Sequence, residues 1–252
     1  MSCQNNSSAN RDGGWNLVRL STVDSTNEYV KRRRDILPDR TVVTARTQTG
    51  GKGRQGKEWL SPPGGLYASL LYEPAPPPEI ASRVSLLLAC LLCRIGKQEG
   101  LPMLYKWPND LVVEGGKVAG ILPELSGQPQ PGLVVGLGVN LSTMPRLESS
   151  EGLPPTAWSR HGTAPSADRL LERLLAMLDR EWLNRSTDPL AGVRRELEER
   201  LWARGETVEV HEGKRSFKAV LTGLTDEGHL VLKTPEGDRS IGSGTIRPVT
   251  SG

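Results

Sequence analysis

Residues 58–65 cannot be helical, and the glycine-rich stretch 50–57 that leads into them lies between strand-like runs. The stretch reads Gly-Gly-Lys-Gly-Arg-Gln-Gly-Lys-Glu-Trp at 50–59 and Leu-Ser-Pro-Pro-Gly-Gly at 60–65. Paired prolines and repeated glycines break a helix, by lost hydrogen bonds and by backbone entropy. Before it stands the β-branched run 41–45; after it stands the apolar run 66–72. The chain therefore makes a glycine-rich excursion between two strands. Glycine allows positive φ and close approach of backbone to a ligand, and successive amides form a concavity for anions. Lys52, Arg54 and Lys57 suit phosphate or carboxylate. Trp59 offers a flat face to a nucleobase, or an anchor for the loop in the core. The stretch reads as the floor of a nucleotide or acyl-phosphate site, against the plainer reading of a mobile basic surface loop.

Two familiar patterns fit by spacing and fail by context. Gly51, Gly53 and Gly56 satisfy G-x-G-x-x-G, but that fingerprint must turn from a strand directly into a helix. Gly51 to Lys57 also begins a P-loop, yet Glu58 stands where a Ser or Thr would hold Mg²⁺.

The rest of the chain frames this loop. Its 252 residues allow one large domain, or one large and one small. The net charge of +3 is too small to argue for nucleic acid. No apolar run reaches membrane-spanning length, and residues 1–14 are polar with no signal-like apolar core, so a cytoplasmic location is expected. Cys90 and Cys93 form C-x-x-C inside a leucine-rich run with no second pair, which reads as core thiols. Residues 1–14 are expected to be disordered. A strand at 17–20 precedes a helix that starts near Asp24-Ser25-Thr26-Asn27 and runs to about Arg34. A buried helix covers 80–99. Residues 111–113 and 117–122 form a hairpin around Glu114-Gly115-Gly116, with Asp110 and Lys117 near its ends. A strand at 133–141 carries Gly136 and Gly138, which point to close approach. Residues 142–165 are loop. Ser166 caps a helix to about Asn184, and Asp188-Pro189 opens another to about Ala203. Short alternating runs at 207–210, 217–221, 230–233 and 239–241 then read as a small β-barrel. The expected organisation is a tail (1–14), a catalytic domain (15–203) and a C-terminal domain (204–252).

Taken singly, Ser25 and Thr26 read as caps and Trp107 as core. Their order along the chain is far more specific: Asp-Ser-Thr-Asn (24–27), Gln48 to Trp59, Lys-Trp-Pro-Asn-Asp (106–110), Lys-x-x-Gly-Ile-Leu (117–122) and Gly-x-Gly-x-Asn (136–140). This series resembles the biotin protein ligases. The resemblance spans residues 15 to about 200, and the terminal barrel is similar to that family's SH3-like domain. It implies an α+β fold, a mixed sheet flanked by helices of the class II synthetase type. The family's usual loop is richer in arginine; here Gly50, Lys52 and Lys57 stand in, and lysine keeps the charge without the bidentate fork. The N-terminal DNA-binding domain of bifunctional members has no counterpart in the reading, so a ligase rather than a repressor is expected.

The resemblance implies two steps: biotin and ATP give biotinyl-5′-AMP, and a lysine of a biotin carboxyl carrier protein then takes the biotinyl group. Arg54 and Lys117 are expected to hold carboxylate and α-phosphate together, with Lys52 and Lys57 closing the loop. Ser25, Thr26, Asn27 and Gln48, with Gly53, Arg54, Gln55 and Lys117, are expected around biotin. Trp59 is the candidate for packing adenine, and Asn109 and Asn140 for nucleotide contacts. Asp110 has three readings: orienting or deprotonating the incoming amine, helping hold Mg²⁺, or capping its turn. Mg²⁺ is expected to arrive with ATP rather than in a protein-built site. No DNA or membrane partner is expected, and a homodimer is an option the resemblance leaves open. The competing readings are a lipoate or octanoate ligase or transferase of the same fold, and a non-catalytic biotin sensor or nucleic-acid-binding protein.

Overall fold

A computed structural model of the chain describes residues 11–12, 14–144, 152–183 and 193–249. The Asp188-Pro189 helix start lies outside the described residues, as does most of the tail expected to be disordered. Arg11–Asp12, within that tail, form a two-residue strand, β1.

Eight strands make the main sheet: β1, β2 (Trp15–Val23), β3 (Thr41–Gln48), β4 (Gly65–Tyr72), β5 (Leu104–Lys106), β6 (Asp110–Val113), β7 (Gly116–Ser126) and β8 (Gly132–Asn140), in the spatial order β1-β2-β3-β4-β8-β7-β6-β5. Only β2 and β3 run parallel, because helix α1 (Thr26–Arg33) crosses between them; the other neighbours are antiparallel. The sheet is mixed, as expected.

Alternation along paired strands decides what each face carries. Leu71, Ser69, Tyr67 and Gly65 of β4 lie opposite Val134, Gly136, Gly138 and Asn140 of β8. Val30 of α1 packs with Val43, Leu71 and Val134 on this face. The opposite face is covered by α2 (Pro78–Gln98) and α3 (Ala167–Leu183). Leu87, Leu88, Leu91, Leu92 and Ile95 of α2 are fully buried, each contributing about 1.5–3 kcal/mol, which leaves the helix one possible rotation on the sheet. Cys90 and Cys93 sit in the same core, where burial pushes both thiols up to about 12. Arg94, facing outward, joins the helices through Glu181 of α3 and Glu196 of α4 (Arg194–Glu199) at 2.7 and 2.8 Å. Ser166 caps α3 as expected, accepting from the Arg169 amide.

The C-terminal segment forms a second, antiparallel sheet: β9 (Thr207–Glu212), β10 (Arg215–Leu224), β11 (Leu230–Thr234), β12 (Gly237–Ile241) and β13 (Thr245–Pro248), in the order β12-β11-β10-β9-β13. Its apolar side, including Leu221, Leu232 and Ile246, continues the main core. Backbone bonds from Tyr105 to Arg200 and from Trp202 to Tyr105 cover the outer edge of β5, and Trp107 Nε1 donates to the Gly228 carbonyl at 3.3 Å. The short edge strands β5 and β13 were not anticipated. Neither has a run of alternation long enough to register, and each is a strand only because a neighbour pairs with it.

Candidate active site

The N-terminus of α1 begins in a knot of buried side chains. Ser25 caps the helix, accepting from the Glu28 amide. Gln48, at the end of β3, accepts from both the Thr26 amide (2.8 Å) and its hydroxyl (3.1 Å). Ser69 donates to Asn27 Oδ1 at 2.5 Å and lies 2.7 Å from Thr26 Oγ1, and Asn27 Nδ2 reaches Glu124 at 2.7 Å. Ser25, Thr26, Asn27 and Ser69 are all buried. So many polar groups in an apolar wall hold only because each finds a partner.

The glycine-rich stretch is an ordered hairpin. The Trp59 amide donates to Gly51 O and the Gly53 amide to Lys57 O. Gln55 (φ 57) and Gly56 (φ 73) turn the tip. At the base, a side chain on Gly51 would place its Cβ 2.4 Å from the Trp59 carbonyl, so only glycine fits there. Gln48 Nε2 donates to Ser61 Oγ and Ser61 Oγ to Trp59 O, which ties the hairpin to the knot. Lys52 reaches away to Glu28 of α1 at 3.0 Å, and Gln55 and Lys57 are exposed.

The Trp59 ring lies on bare backbone. A Cβ on Gly138 would stand 2.5 Å from its indole atoms, and one on Gly120 would stand 3.2 Å away. Gly136 is bare for a matching reason, with Asn27 above it. The two glycines singled out in the sequence are thus approached closely, by the protein's own side chains. Lys117 Nζ sits 5.1 Å from the centre of the Trp59 ring and 2.7 Å from Asp110 Oδ1, an ion pair without hydrogen-bond alignment.

A β-bulge brings these groups to one face. Pairing shifts between Leu111 and Val112, so β7 carries one extra residue between Lys117 and Ala119. Val118 and Ala119 consequently both enter the core, and Lys117 is turned onto the same side as Gly120. The hairpin turn that feeds this strand has positive φ at Glu114 (47°) and Gly115 (78°), a geometry that matches strand twist.

Around Asp110 the field is strongly positive. Burial pushes the Lys106 ammonium below the ordinary lysine range; Asp110 pulls it up, while Lys117, Arg247 and Arg54 push it further down. Burial also lowers the Arg54 guanidinium, with Asp110 opposing. Lys106 Nζ lies 5.5 Å from the centre of the Trp202 ring, and among the described residues no carboxylate stands within ion-pair distance of it. Arg54, Lys106 and Lys117 therefore share the field of one carboxylate, which Lys117 already engages, and Arg247 adds to the positive field at Lys106. Such a cluster is arranged for a polyanion.

Asn109 and Asn140 flank the site. Asn109 Nδ2 donates to Ile121 O at 2.9 Å, and Asn140 Nδ2 to Thr156 O at 3.0 Å. Asn140 is 1% exposed, and its buried Oδ1, like Trp59 Nε1, has no partner among the described residues. The structure thus brings Ser25, Thr26, Asn27 and Gln48 together at one end and Arg54, Trp59, Asp110, Lys117 and Asn140 at the other. Lys52, Gln55 and Lys57 stand at the rim.

Comparison with known proteins settles the family. The chain is 32% identical over 231 residues to a biotin–[acetyl-CoA-carboxylase] ligase of Paracoccus denitrificans, covering 88% of this chain and 96% of that one. The chain belongs to the biotin protein ligase family. A relative of the same description from Mycobacterium tuberculosis is 30% identical, covering 87% of this chain and 84% of its own length. The sequence model of the Biotin/lipoate A/B protein ligase family matches residues 20–140, and that of the Biotin protein ligase C terminal domain matches residues 205–252. Among solved structures, the biotin protein ligase from Aquifex aeolicus in complex with biotin and ATP superposes with a TM-score of 0.77 at 29% identity, covering 92% of this chain and 97% of that one. The α+β fold with an SH3-like C-terminal unit is that of the biotin protein ligases. Sequence reasoning had assigned no role to two of the four clustered cations. Lys106 was visible as the first residue of Lys-Trp-Pro-Asn-Asp. Arg247 carried no signal, since only folding brings its charge to bear on Lys106.

Proposed function

We propose that this biotin protein ligase joins biotin to ATP as biotinyl-5′-AMP and then passes the biotinyl group to a lysine of a biotin carboxyl carrier domain. The observation that carries the reading is the cluster of Arg54, Lys106 and Lys117 around Asp110, with Arg247 adding to the field at Lys106, beside an aromatic ring laid on glycine backbone.

In the first step a carboxylate oxygen bonds to the α-phosphorus, and the bond to the bridging oxygen breaks as pyrophosphate leaves. Two anions must meet, so clustered cations lower the barrier by screening their repulsion. Lys117 and Arg54 hold the reacting carboxylate and α-phosphate, and Lys106 and Arg247 take the outer phosphates nearer the β5 edge. Biotin lies toward Ser25, Thr26, Asn27 and Gln48, with Gly53 and Gln55 of the hairpin above it. Trp59 packs the adenine, and the unpartnered Asn140 Oδ1 accepts from the adenine amino group, with Asn109 beside it. Lys52 and Lys57 close the rim, with Lys52 leaving Glu28 to do so. In the second step the carrier amine attacks the anhydride carbonyl carbon, the C–O bond to phosphate breaks and AMP departs; once Lys117 turns to phosphate, Asp110 is released to orient the amine and take its proton.

Among the described residues no group of three His, Cys, Asp or Glu side chains converges on one point. A Mg²⁺ brought by the phosphates of ATP would neutralise charge there, and Asp110, among the clustered cations, is the carboxylate that would help hold it. The proposal carries with it a cytoplasmic site of action and a carrier protein rather than DNA as macromolecular partner, and it leaves a homodimer open as assembly. No helix among the described residues is long and apolar enough to cross a membrane.

The test is ATP–pyrophosphate exchange driven by biotin, followed by label transfer to a carrier domain. Exchange driven by lipoate or octanoate instead would keep the Lys117 chemistry and replace the substrate.

A further inference from the structure

Lys117 and Asn140 stand on different strands, β7 and β8, yet one residue holds both. Thr156 donates its amide to the Lys117 carbonyl at 2.9 Å and accepts from Asn140 Nδ2 at 3.0 Å through its own carbonyl. The Lys117 amide in turn donates to Pro154 O at 2.7 Å. The segment 154–156 thus runs as a short parallel bridge along the bulged end of β7, where the ladder to β6 is irregular. Gly116 admits it: a Cβ there would lie 2.7 Å from Thr156 Cβ.

The Thr156 side chain is itself held. Its hydroxyl lies 2.8 Å from His161 Nε2, and His161 Nδ1 lies 3.1 Å from Glu114 Oε2 in the β6–β7 turn. A carboxylate at Nδ1 selects the tautomer with its proton there, so Nε2 accepts and the Thr156 hydroxyl donates. Backbone bonds from His161 to Trp158 and from Arg160 to Ala157 close this segment into a turn over the fully buried Trp158 ring. The chain Glu114–His161–Thr156 therefore begins and ends on the hairpin that presents Lys117.

We propose that His161, through Thr156, is a positioning residue for the adenylation site, fixing the backbone from which Lys117 and Asn140 act. The inference rests on the assignment of Lys117 and Asn140 to the adenylate. It adds residues outside the recurring motifs, in a stretch whose sequence reads as plain loop. A side chain on a bulge has no regular ladder to hold its direction, and small displacements of a reacting group cost rate steeply. The brace supplies the missing constraint.

The experiment is calorimetric binding of a non-hydrolysable biotinyl-adenylate analogue to the full chain and to His161→Ala, Lys117→Ala and their double variant, with thermal unfolding as a control. His161→Ala should weaken binding about tenfold, and this loss should shrink to about threefold in the Lys117→Ala background, the remainder being carried through Asn140. His161→Gln, whose amide oxygen replaces Nε2 as acceptor for Thr156, should bind within about twofold of the parent. An equal loss from His161→Ala in both backgrounds, or no loss in either, overturns the positioning role. If His161→Ala unfolds early, His161→Gln against Thr156→Val decides: equal binding by these two overturns it. If the parent rejects the biotinyl analogue and accepts a lipoyl one, the substrate assignment fails and the same cycle is read with that ligand. Binding of neither overturns both.

Discussion

Lys117 Nζ and Asp110 Oδ1 lie 2.7 Å apart at the open end of one hairpin, and a single extra residue in β7 puts them on the same side of the sheet. Without the bulge, pleat alternation would send Lys117 into the core that Val118 fills. The pair is neutral as it stands, and under the proposed function an arriving phosphate would compete with Asp110 for Lys117.

Lys117→Gln should therefore lower biotin-dependent ATP–pyrophosphate exchange by about 10²–10³-fold, the scale of losing one aimed charge in an excluded site. The side chain is 28% exposed, so the unfolding midpoint should move little. Near-parental exchange would remove Lys117 from the chemistry.

Lys106 predicts a particular pH dependence. Its ammonium is held below the ordinary lysine range by burial and by neighbouring cations. The cation is therefore lost, as pH rises, earlier than an ordinary lysine would be, and KM for ATP should climb on that alkaline limb. Lys106→Arg should delay the climb, since guanidinium keeps its charge. Lys106→Ala should raise KM for ATP about tenfold while sparing transfer from preformed adenylate. Initial-rate profiles in ATP across alkaline pH check all three.

Gly138→Ala should displace Trp59, since the added carbon would stand 2.5 Å from its indole atoms. Overpacking of this kind costs about 1–3 kcal/mol, and ATP binding should weaken with it. Adding Trp59→Ala should restore the unfolding midpoint but not nucleotide affinity. A double variant no more stable than Gly138→Ala alone would show that the clash lies elsewhere.

Asp24 sets an acid limit at the start of α1. Arg32 grips its carboxylate at 2.7 and 2.8 Å, and the pKa falls from 3.8 to about 2. The stabilisation is then fully present above pH 3.8 and lost as pH falls through about 2. Asp24→Asn should be less stable than the parent at neutral pH, and the two should converge near pH 2. Urea midpoints that differ by the same amount at both pH values would rule the pair out as the cause.

Much of this was legible in the residues. Ser25 as a cap, the Gly-rich excursion between β3 and β4, the β6–β7 hairpin and the buried α2 each rest on local rules: capping, turn chemistry and periodicity. Other features were not. The strand β5 has three residues, too few for a period to show. Gly136 and Gly138 announced close approach without saying by what. The stretch 142–165 looked like connection, and within it Thr156 clasps two site strands.

What the sequence determined by itself is the menu: strands where β-branched residues alternate, helices where caps precede apolar stripes, and cations, amides and one indole at fixed places along the chain. Local energetics suffice for these, because each depends on neighbours within a few residues. Tertiary structure alone decided which of them meet. The bulge that turns Lys117, the bearing of the Arg247 charge on Lys106 and the laying of Trp59 on Gly138 depend on residues far apart in the chain, and the joint burial of both sheets in one continuous core holds them in place.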